Sequence, residues 1–180
     1  TGIKPGNLIG SISKEGHSNL AIFSSIVHLG SNPALIGFIT RPDKNSRRDT
    51  LNNIIETSYY TINHIHTNFI EQAHNTSQKF DKEVSEFEMC NLTESYLFDF
   101  PAPFLKESII KFGLKLEDLI TIKKNDTRLI VGSIEHLYVD DIAMEENGDI
   151  NLELANDIGI GGLNNYYDLK KIRRFPYLSK

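Results

Sequence analysis

Cations and hydroxyl groups crowd a short segment in the first third of the chain. They are Arg41, Lys44, Ser46, Arg47, Arg48 and Thr50. Arginine presents forked donors that match phosphate oxygens. Thr50 lies near an expected helix start, where backbone N–H groups and the helix dipole attract anions. The segment is therefore a candidate phosphate site, and the alternative is a basic loop that is simply solvated.

A second candidate lies upstream, at Phe23-Ser24-Ser25. Small hydroxyl residues at the end of a strand let a flat ring approach the backbone, whose N–H groups can then donate hydrogen bonds to it. The alternative is structural, because two serines in a strand also occur on a polar face or at a bulge. The residues alone leave both interpretations open.

The histidines offer a third kind of chemistry. His64 and His66 would share one face of a strand that continued through both. With His74 or Glu71 nearby, that spacing could bind zinc or iron. The strand is expected to end at His64, however, and a fourth ligand is not evident. We therefore expect no metal and keep a histidine-based metal module only as an alternative function.

Composition excludes several classes of protein. The 180 residues carry 19 basic and 24 acidic side chains, a net charge of −5, which argues against a nucleic-acid partner. No apolar run approaches the roughly 18 residues that span a membrane, so no membrane partner is expected. Cys90 is the single cysteine and cannot form an intramolecular disulfide, which favours a reducing, cytoplasmic location.

Alternating and apolar runs predict a chain built mainly of strands. These are expected over Asn7–Ile12, Ser18–Leu29, Ala34–Thr40, Tyr59–His64, Ser108–Leu116, Thr121–Lys123 and Thr127–Val139. Short helices are expected over Leu51–Thr57 and, capped by Asn68, over Phe69–His74. Antiparallel hairpins with inserted helices favour a closed or nearly closed barrel, because closure removes exposed edges. No repeat or linker divides the chain, so residues 1–180 are expected to form one domain.

An ordered set of short segments covers most of the chain, from about Lys4 to Tyr177. The segments are Asn19–Ser25, Gly30–Pro33, Gly37–Pro42, Arg48–Thr50, Asn53-Ile54, Tyr60–His64, Thr76-Ser77, Phe80-Asp81, Ser85–Phe87, Pro103-Phe104, Glu107-Ser108, Gly162-Leu163 and Tyr166-Tyr167. Their order and spacing resemble the flavin-reductase family, whose members bind FMN. The resemblance implies a mainly β fold with short helices, a six-stranded antiparallel split β-barrel of Greek-key type. It also implies a homodimer with FMN at the subunit interface.

The resemblance also implies a set of FMN-binding residues. Those expected beside the isoalloxazine, mainly through backbone groups, are Phe23, Ser24, Ser25 and Ile26. Those expected at the phosphate end are Arg41, Arg48, Asp49 and Thr50, with Arg48 and Thr50 in direct contact. Asn63 is expected close to the flavin, and Ser77 and Phe80 are expected to close the site from the partner subunit. His28 is a candidate catalytic residue near the flavin edge, and its alternative role is a hydrogen-bonded histidine near the dimer interface.

The function implied by the resemblance is an NADH- or NADPH-dependent flavin reductase, in which hydride passes from the nicotinamide to flavin N5. One departure from the family affects this expectation. Many flavin reductases carry a late histidine followed by Tyr-x-x-Gly-x-Tyr near the nicotinamide, whereas this chain has Tyr166-Tyr167-Asp168-Leu169-Lys170-Lys171. An FMN electron carrier that a partner protein reduces is therefore the alternative.

Overall fold

The computed structural model describes residues 2–42, 48–176 and 178. Its strands are β1 Lys4–Pro5, β2 Asn7–Ile12, β3 Ser18–Phe23, β4 Val27–Ser31, β5 Ala34–Thr40, β6 Tyr59–His64, β7 Glu94–Ser95, β8 Phe104–Leu105, β9 Ile110–Ile122, β10 Thr127–Val139, β11 Ile158–Gly161 and β12 Asn165–Asp168. Its helices are α1 Asp49–Thr57, α2 Ile70–Asn75 and α3 Glu86–Met89, with 3-10 turns at Thr67–Phe69 and Asp141–Ala143. The expected mainly β fold with short helices is confirmed.

The main sheet has the strand order β3-β2-β6-β9-β10-β5-β4, and every neighbouring pair is antiparallel. Its two edge strands, β3 and β4, follow each other directly in the chain. The three residues between them must therefore connect opposite edges of the sheet, which forces the sheet to curl into a barrel. Counting β3 and β4 as one interrupted strand, the barrel has the six strands that were expected.

The interruption corrects one prediction, because Ser18–Leu29 is not a single strand. The β3 ladder ends where Phe23 pairs with Asn7 on β2, and the chain resumes where Val27 pairs with Gly37 on β5. The segment thus changes its neighbour part-way along. Alternation of apolar and polar residues carries no information about which strand lies alongside, so the sequence pattern could not show this change.

Strand β2 is buried on both of its faces. Ile9 packs inside the barrel with Phe38 and Tyr60, and α1 closes the interior with Leu51 and Ile54. The adjacent residue, Leu8, points to the other face and packs in a separate cluster. Members of that cluster, from β3, α2, α3, β8 and β11, include Leu20, Ala73, Phe87, Leu105 and Ile158. The barrel therefore carries a second apolar layer on the outside of β2 and β3.

Two further predictions change in detail. Asn68 does not cap a helix: the 3-10 turn comes first, and the His66 imidazole accepts a hydrogen bond from the Asn68 N–H at 3.2 Å. The two strands expected on either side of Glu117 are one strand, β9. The strand continues through a β-bulge, since Val131 pairs with Asp118 whereas the next residue, Gly132, pairs with Leu116.

None of the helices in the described part of the chain is both long enough and apolar enough to span a membrane.

Candidate functional site

Residues 24–26, here called the 24–26 loop, join the two edge strands of the barrel. Ser25 fixes this loop against β5: its hydroxyl donates to the Ile39 carbonyl oxygen at 2.8 Å and accepts from the Ile39 N–H at 3.1 Å. A side chain thus makes the bonds that a neighbouring strand would otherwise make. Within residues 2–42, 48–176 and 178, no carbonyl oxygen accepts a hydrogen bond from the N–H groups of Ser24, Ser25 or Ile26. These N–H groups can therefore serve a ligand.

Aromatic and aliphatic side chains anchor the 24–26 loop at both ends. Phe23 and Ile26 are half-buried and pack against the cluster inside the barrel. The Phe23 ring meets the Phe38 ring edge-on, with centroids 5.1 Å apart. The unpaired N–H groups are therefore presented from a fixed backbone, which is what binding of a rigid ligand requires.

The expected phosphate end lies where β5 leads toward α1. Arg48 immediately precedes α1, and its Nε donates to the Pro42 carbonyl oxygen at 3.3 Å, which links the two sides of the connecting segment. Arg41 is exposed. The hydroxyl of Thr40 is buried and has no hydrogen-bond partner among the described residues. The remaining predicted contributors, Lys44, Ser46 and Arg47, lie outside the residues that the structure describes.

Thr50 does not offer a free hydroxyl. It is buried in the first turn of α1, and its Oγ1 donates to the side-chain oxygen of Asn19 at 2.8 Å. Asn53 donates to Ser11 Oγ at 3.2 Å, and that hydroxyl lies 3.3 Å from the same Asn19 oxygen. The Thr50 side chain is thus part of a buried network that ties α1 to β2 and β3. Its contribution to anion binding can come from the helix N-terminus, whose first N–H groups have no partner within the helix.

Glu86 completes this network, and sequence reasoning gave it no role. Its Oε2 accepts from Asn19 Nδ2 at 2.8 Å and from the Leu20 N–H at 3.0 Å. Burial raises the pKa of the Glu86 carboxyl, and the bonds from Leu20 and Asn19 oppose that rise. The only sequence signal was its place in the Ser85–Phe87 segment of the family resemblance. Glu86 acts by holding β3 in position behind the phosphate end.

The other predicted site residues are more dispersed. Asn63 is fully buried: its amide nitrogen donates to the Leu8 carbonyl and Thr61 hydroxyl, and its oxygen accepts from the Leu105 N–H. The structure therefore gives Asn63 no surface for a ligand. Three more predicted residues belong to other parts of the chain than the 24–26 loop and the start of α1. They are Ser77, exposed after α2, Phe80, packed on the outer apolar layer, and His28, exposed on β4.

The histidines proposed as alternative metal ligands are not brought together. His64 Nδ1 lies 2.6 Å from the Asp157 carboxylate, and His74 Nδ1 lies 2.7 Å from the Tyr166 hydroxyl. His66 is bonded to the Asn68 N–H, and burial lowers the pKa of its imidazole. Among residues with described positions, no three His, Cys, Asp or Glu side chains form a group that could hold a metal.

A surface groove lies between the 3-10 turn with α2 on one side and the segment entering β12 on the other. Its volume is about 610 Å³. The polar side chains that line it include Asn68, Glu71, Gln72, His74, Asn164 and Tyr166. Sequence reasoning considered His74 and Glu71 only as metal ligands, so this groove was not foreseen.

The family of the chain follows from comparison with known proteins. The model of the flavin reductase like domain matches residues 4–156, which is most of the chain. The chain belongs to the flavin reductase-like family. It is therefore a flavin-binding oxidoreductase by family, and the expected resemblance is confirmed.

Individual relatives agree with this family. A split-barrel protein of Shewanella frigidimarina, assigned as a flavin reductase, is 45% identical, with a TM-score of 0.92 over 98% of this chain and 87% of that chain. Component B of nitrilotriacetate monooxygenase from Bacillus cereus is 25% identical, with a TM-score of 0.87 over 96% of this chain and 87% of that chain. An uncharacterized protein of Aquifex aeolicus is 30% identical over 88% of this chain and 81% of its own length.

The geometry of this flavin reductase-like chain fits a flavin nucleotide. The unpaired N–H groups of the 24–26 loop suit the hydrogen-bond acceptors of a flat ring. Arg48, the helix start and the Thr40 hydroxyl, which has no hydrogen-bond partner among the described residues, could supply donors for a phosphate. Ile39, which holds the loop, directly precedes Thr40 on β5, so the two sets of donors follow each other along one strand.

Proposed function

We propose that this flavin reductase-like protein binds FMN and uses it to accept hydride from NADH or NADPH. One observation carries the proposal: the N–H groups of the 24–26 loop are unpaired among the described residues, and β5 leads from that loop to Arg48 and α1. FMN has a flat ring that accepts hydrogen bonds and a terminal phosphate. The two ends of the site match these two ends of the cofactor.

Each part of the site has a separate task in this proposal. Ser24, Ser25 and Ile26 hold the ring through their backbone N–H groups, and Ser25 keeps that backbone in place through Ile39. Arg48 pairs with the phosphate, and the start of α1 adds N–H donors and a favourable dipole. Bound flavin would supply the redox chemistry itself, since it accepts hydride at N5. No acid–base side chain is then required, so His28 is not needed as a catalytic residue.

The absorption spectrum of the purified protein tests FMN binding directly. We expect either a bound flavin chromophore after purification or saturable binding of added FMN, and tighter binding of FMN than of riboflavin. Protein that neither copurifies with a flavin nor binds added FMN would falsify the proposal. Anaerobic addition of NADH or NADPH then tests the reaction, with rapid bleaching of the flavin absorbance as the expected result.

An FMN electron carrier is the second candidate, and the sequence of β12 favours it. Tyr166-Tyr167-Asp168 lacks the glycine expected near the nicotinamide in many reductases. A carrier keeps the FMN site but needs no nicotinamide site. Bound FMN that stays oxidised with both nicotinamides, yet is reduced by dithionite, would identify the carrier.

We further propose that the protein is a homodimer with FMN near the subunit interface. Apolar side chains cover the outer face of β4, β5, β10 and β9, here called the outer apolar face. They are Val27, Leu29, Ile39, Leu129, Ile120 and Ile122. Gly37 lies beneath them, where a side chain would meet Leu29 and Leu129 at 2.9 and 3.0 Å. A second copy is the proposed occupant, because this face is continuous with Ile39, which holds the 24–26 loop.

In that dimer the partner's copies of the segment around Ser77 and Phe80 would approach the flavin. The exposed position of Ser77 is compatible with such a contact.

Cys90, the single cysteine, is buried, and burial raises the pKa of its thiol, so it is kept in the unreactive protonated form. A cytoplasmic location is proposed on this composition.

A further inference from the structure

The groove beside α2 has a rigid wall made by an imidazole and a phenol. His74 Nδ1 and the Tyr166 hydroxyl lie 2.7 Å apart, and their rings meet edge-on with centroids 5.8 Å apart. Burial raises the pKa of the Tyr166 hydroxyl, which therefore stays protonated at neutral pH. The Tyr166 ring also packs against the outer apolar layer. This wall is thus fixed before any ligand binds.

Apart from Ile70, the rest of the described lining is polar, and its carboxylate comes from Glu71. Glu71 contributes a carboxylate, and Asn68, Gln72 and Asn164 contribute carboxamides. Among the described residues that line the groove, none is lysine or arginine. Carboxamides and a carboxylate together bind hydroxyl groups well, since a hydroxyl donates to the carboxylate while its oxygen accepts from an amide. A phosphate in the same position would face the Glu71 carboxylate, and no lysine or arginine is among the described lining residues. The Lys4 ammonium, which lies beyond the lining, donates to the Gly162 carbonyl.

The groove is joined to the proposed flavin site by packing. Ile70 and Tyr166 from the groove side pack on the same buried cluster as Ile22 and Phe80. Ile22 is followed directly by Phe23 and the 24–26 loop. A molecule in the groove would therefore lie on the outer side of the barrel, over the same apolar layer that β3 covers with Ile22.

We propose that this groove binds the adenosine ribose of the nicotinamide dinucleotide, with its 2′-hydroxyl donating to Glu71. The protein would then prefer NADH, because the 2′-phosphate of NADPH would meet the Glu71 carboxylate. The inference rests on the proposed function, since it names the reductant of the same flavin site. A carboxylate that accepts from the ribose 2′-hydroxyl is a general means of choosing the unphosphorylated dinucleotide.

Calorimetric titration of the FMN-loaded full chain with NAD⁺ and NADP⁺ tests the inference without relying on turnover. We expect NAD⁺ to bind at least tenfold more tightly than NADP⁺. Glu71→Gln should reduce that preference several-fold, and Glu71→Arg should move it toward NADP⁺. Glu88→Gln, which removes an exposed carboxylate elsewhere, should leave both affinities unchanged.

Separate outcomes distinguish the two proposals. Failure to bind FMN would overturn the proposed function. Normal FMN binding with equal affinity for the two dinucleotides, or with a preference that Glu71→Gln and Glu71→Arg do not alter, would overturn only the assignment of the groove. Normal FMN binding with no dinucleotide binding would overturn the assignment of the groove and would also favour the electron carrier over the reductase.

Discussion

At the scale of single residues, the site depends on a side chain that makes hydrogen bonds usually made by the backbone of a neighbouring strand. Ser25 satisfies both the N–H and the carbonyl of Ile39 with one hydroxyl. Because this side chain replaces a neighbouring strand, the chain can end its pairing with β2 while Ile39 on β5 keeps its hydrogen bonds. The N–H groups of the loop itself remain available for a ligand. A partly buried hydrogen bond of this kind contributes about 1 kcal/mol to stability. Its more important effect here is to hold the 24–26 loop in position beside β5.

Arg48 gives the sharpest residue-scale prediction for binding. Arg48→Ala should weaken FMN binding by about 1–3 kcal/mol, because a charge-assisted bond to phosphate is lost. Fluorescence titration of FMN measures the change. Riboflavin, which has no phosphate, should bind the variant as well as it binds the unchanged protein, and Arg173→Ala in the exposed C-terminal segment should alter neither affinity. Equal losses for FMN and riboflavin would remove Arg48 from the phosphate site.

Glu86 gives a residue-scale prediction for stability against pH. Its pKa is raised in the folded protein chiefly by burial, so the protonated form is the one that folding favours. The associated stability is fully present below the ordinary pKa of a glutamate and is lost as the pH rises through the folded-state pKa. Glu86→Gln keeps an oxygen that can accept from Asn19 and Leu20 but cannot ionise. Relative to this variant, the unchanged protein should therefore lose stability as the pH rises from about 4 toward neutrality.

Urea unfolding of both proteins across that pH range measures the difference. Glu88→Gln is the matched control, since Glu88 lies on the same short helix but is exposed. A stability difference between the unchanged protein and Glu86→Gln that does not vary with pH would contradict the assigned cause of the pKa shift.

At the scale of elements, the long β9–β10 hairpin depends on a glycine at its bulge. Gly132 lies beside the ring of Tyr60, which is fully buried on β6, and a Cβ at Gly132 would come within 2.2 Å of the Tyr60 hydroxyl oxygen. That hydroxyl has no hydrogen-bond partner among the described residues. The Tyr60 side chain, which extends from β6, therefore occupies the space that a side chain at Gly132 on β10 would need.

Gly132→Ala should destabilise the protein by about 1–3 kcal/mol, because the added methyl group overpacks the core. Tyr60→Phe alone should be neutral or stabilising, since it removes a buried hydroxyl that makes no bond. The double variant should regain part of the loss, because the hydroxyl oxygen is the nearest obstacle. Thermal unfolding of the four proteins gives the coupling energy, and strictly additive effects would contradict this contact.

At the scale of the whole molecule, the fold and the proposed assembly are linked through the same strands. Closure of the barrel brings the two edge strands β3 and β4 together, and the loop between them is the proposed ring site. The outer apolar face lies on β4, β5, β10 and β9, which include the strand that holds this loop. Dimer formation and flavin binding are therefore expected to depend on each other.

Ile120→Lys should weaken the dimer, because it places a charge within the outer apolar face, beside Leu129. Sedimentation velocity should show a shift toward monomer, and FMN affinity should fall at the same protein concentration. Ile142→Lys is the control, since Ile142 is also exposed but lies in the 3-10 turn after β10. An unchanged sedimentation coefficient for Ile120→Lys would rule out this face as the subunit interface.

Sequence patterns were sufficient for the local elements of this protein. Ala34–Thr40 and Tyr59–His64 are strands with the predicted bounds, because both short runs are rich in β-branched and aromatic residues, which favour strands. The ordered short segments were sufficient for the family, whereas the phosphate site expected from the cations before α1 remains a prediction. Each of these features depends on residues that are close together in the chain.

Only the tertiary structure decided which distant residues meet. Strand alternation could not show that the chain changes neighbour at the 24–26 loop, because the change depends on β2 and β5 lying on opposite sides of it. Nor could it show that Glu86 supports Asn19, that Asn63 is enclosed, or that His74 meets Tyr166 across 92 positions of sequence. Such contacts follow from barrel closure and layer packing, which bring together segments whose local sequences carry no information about each other.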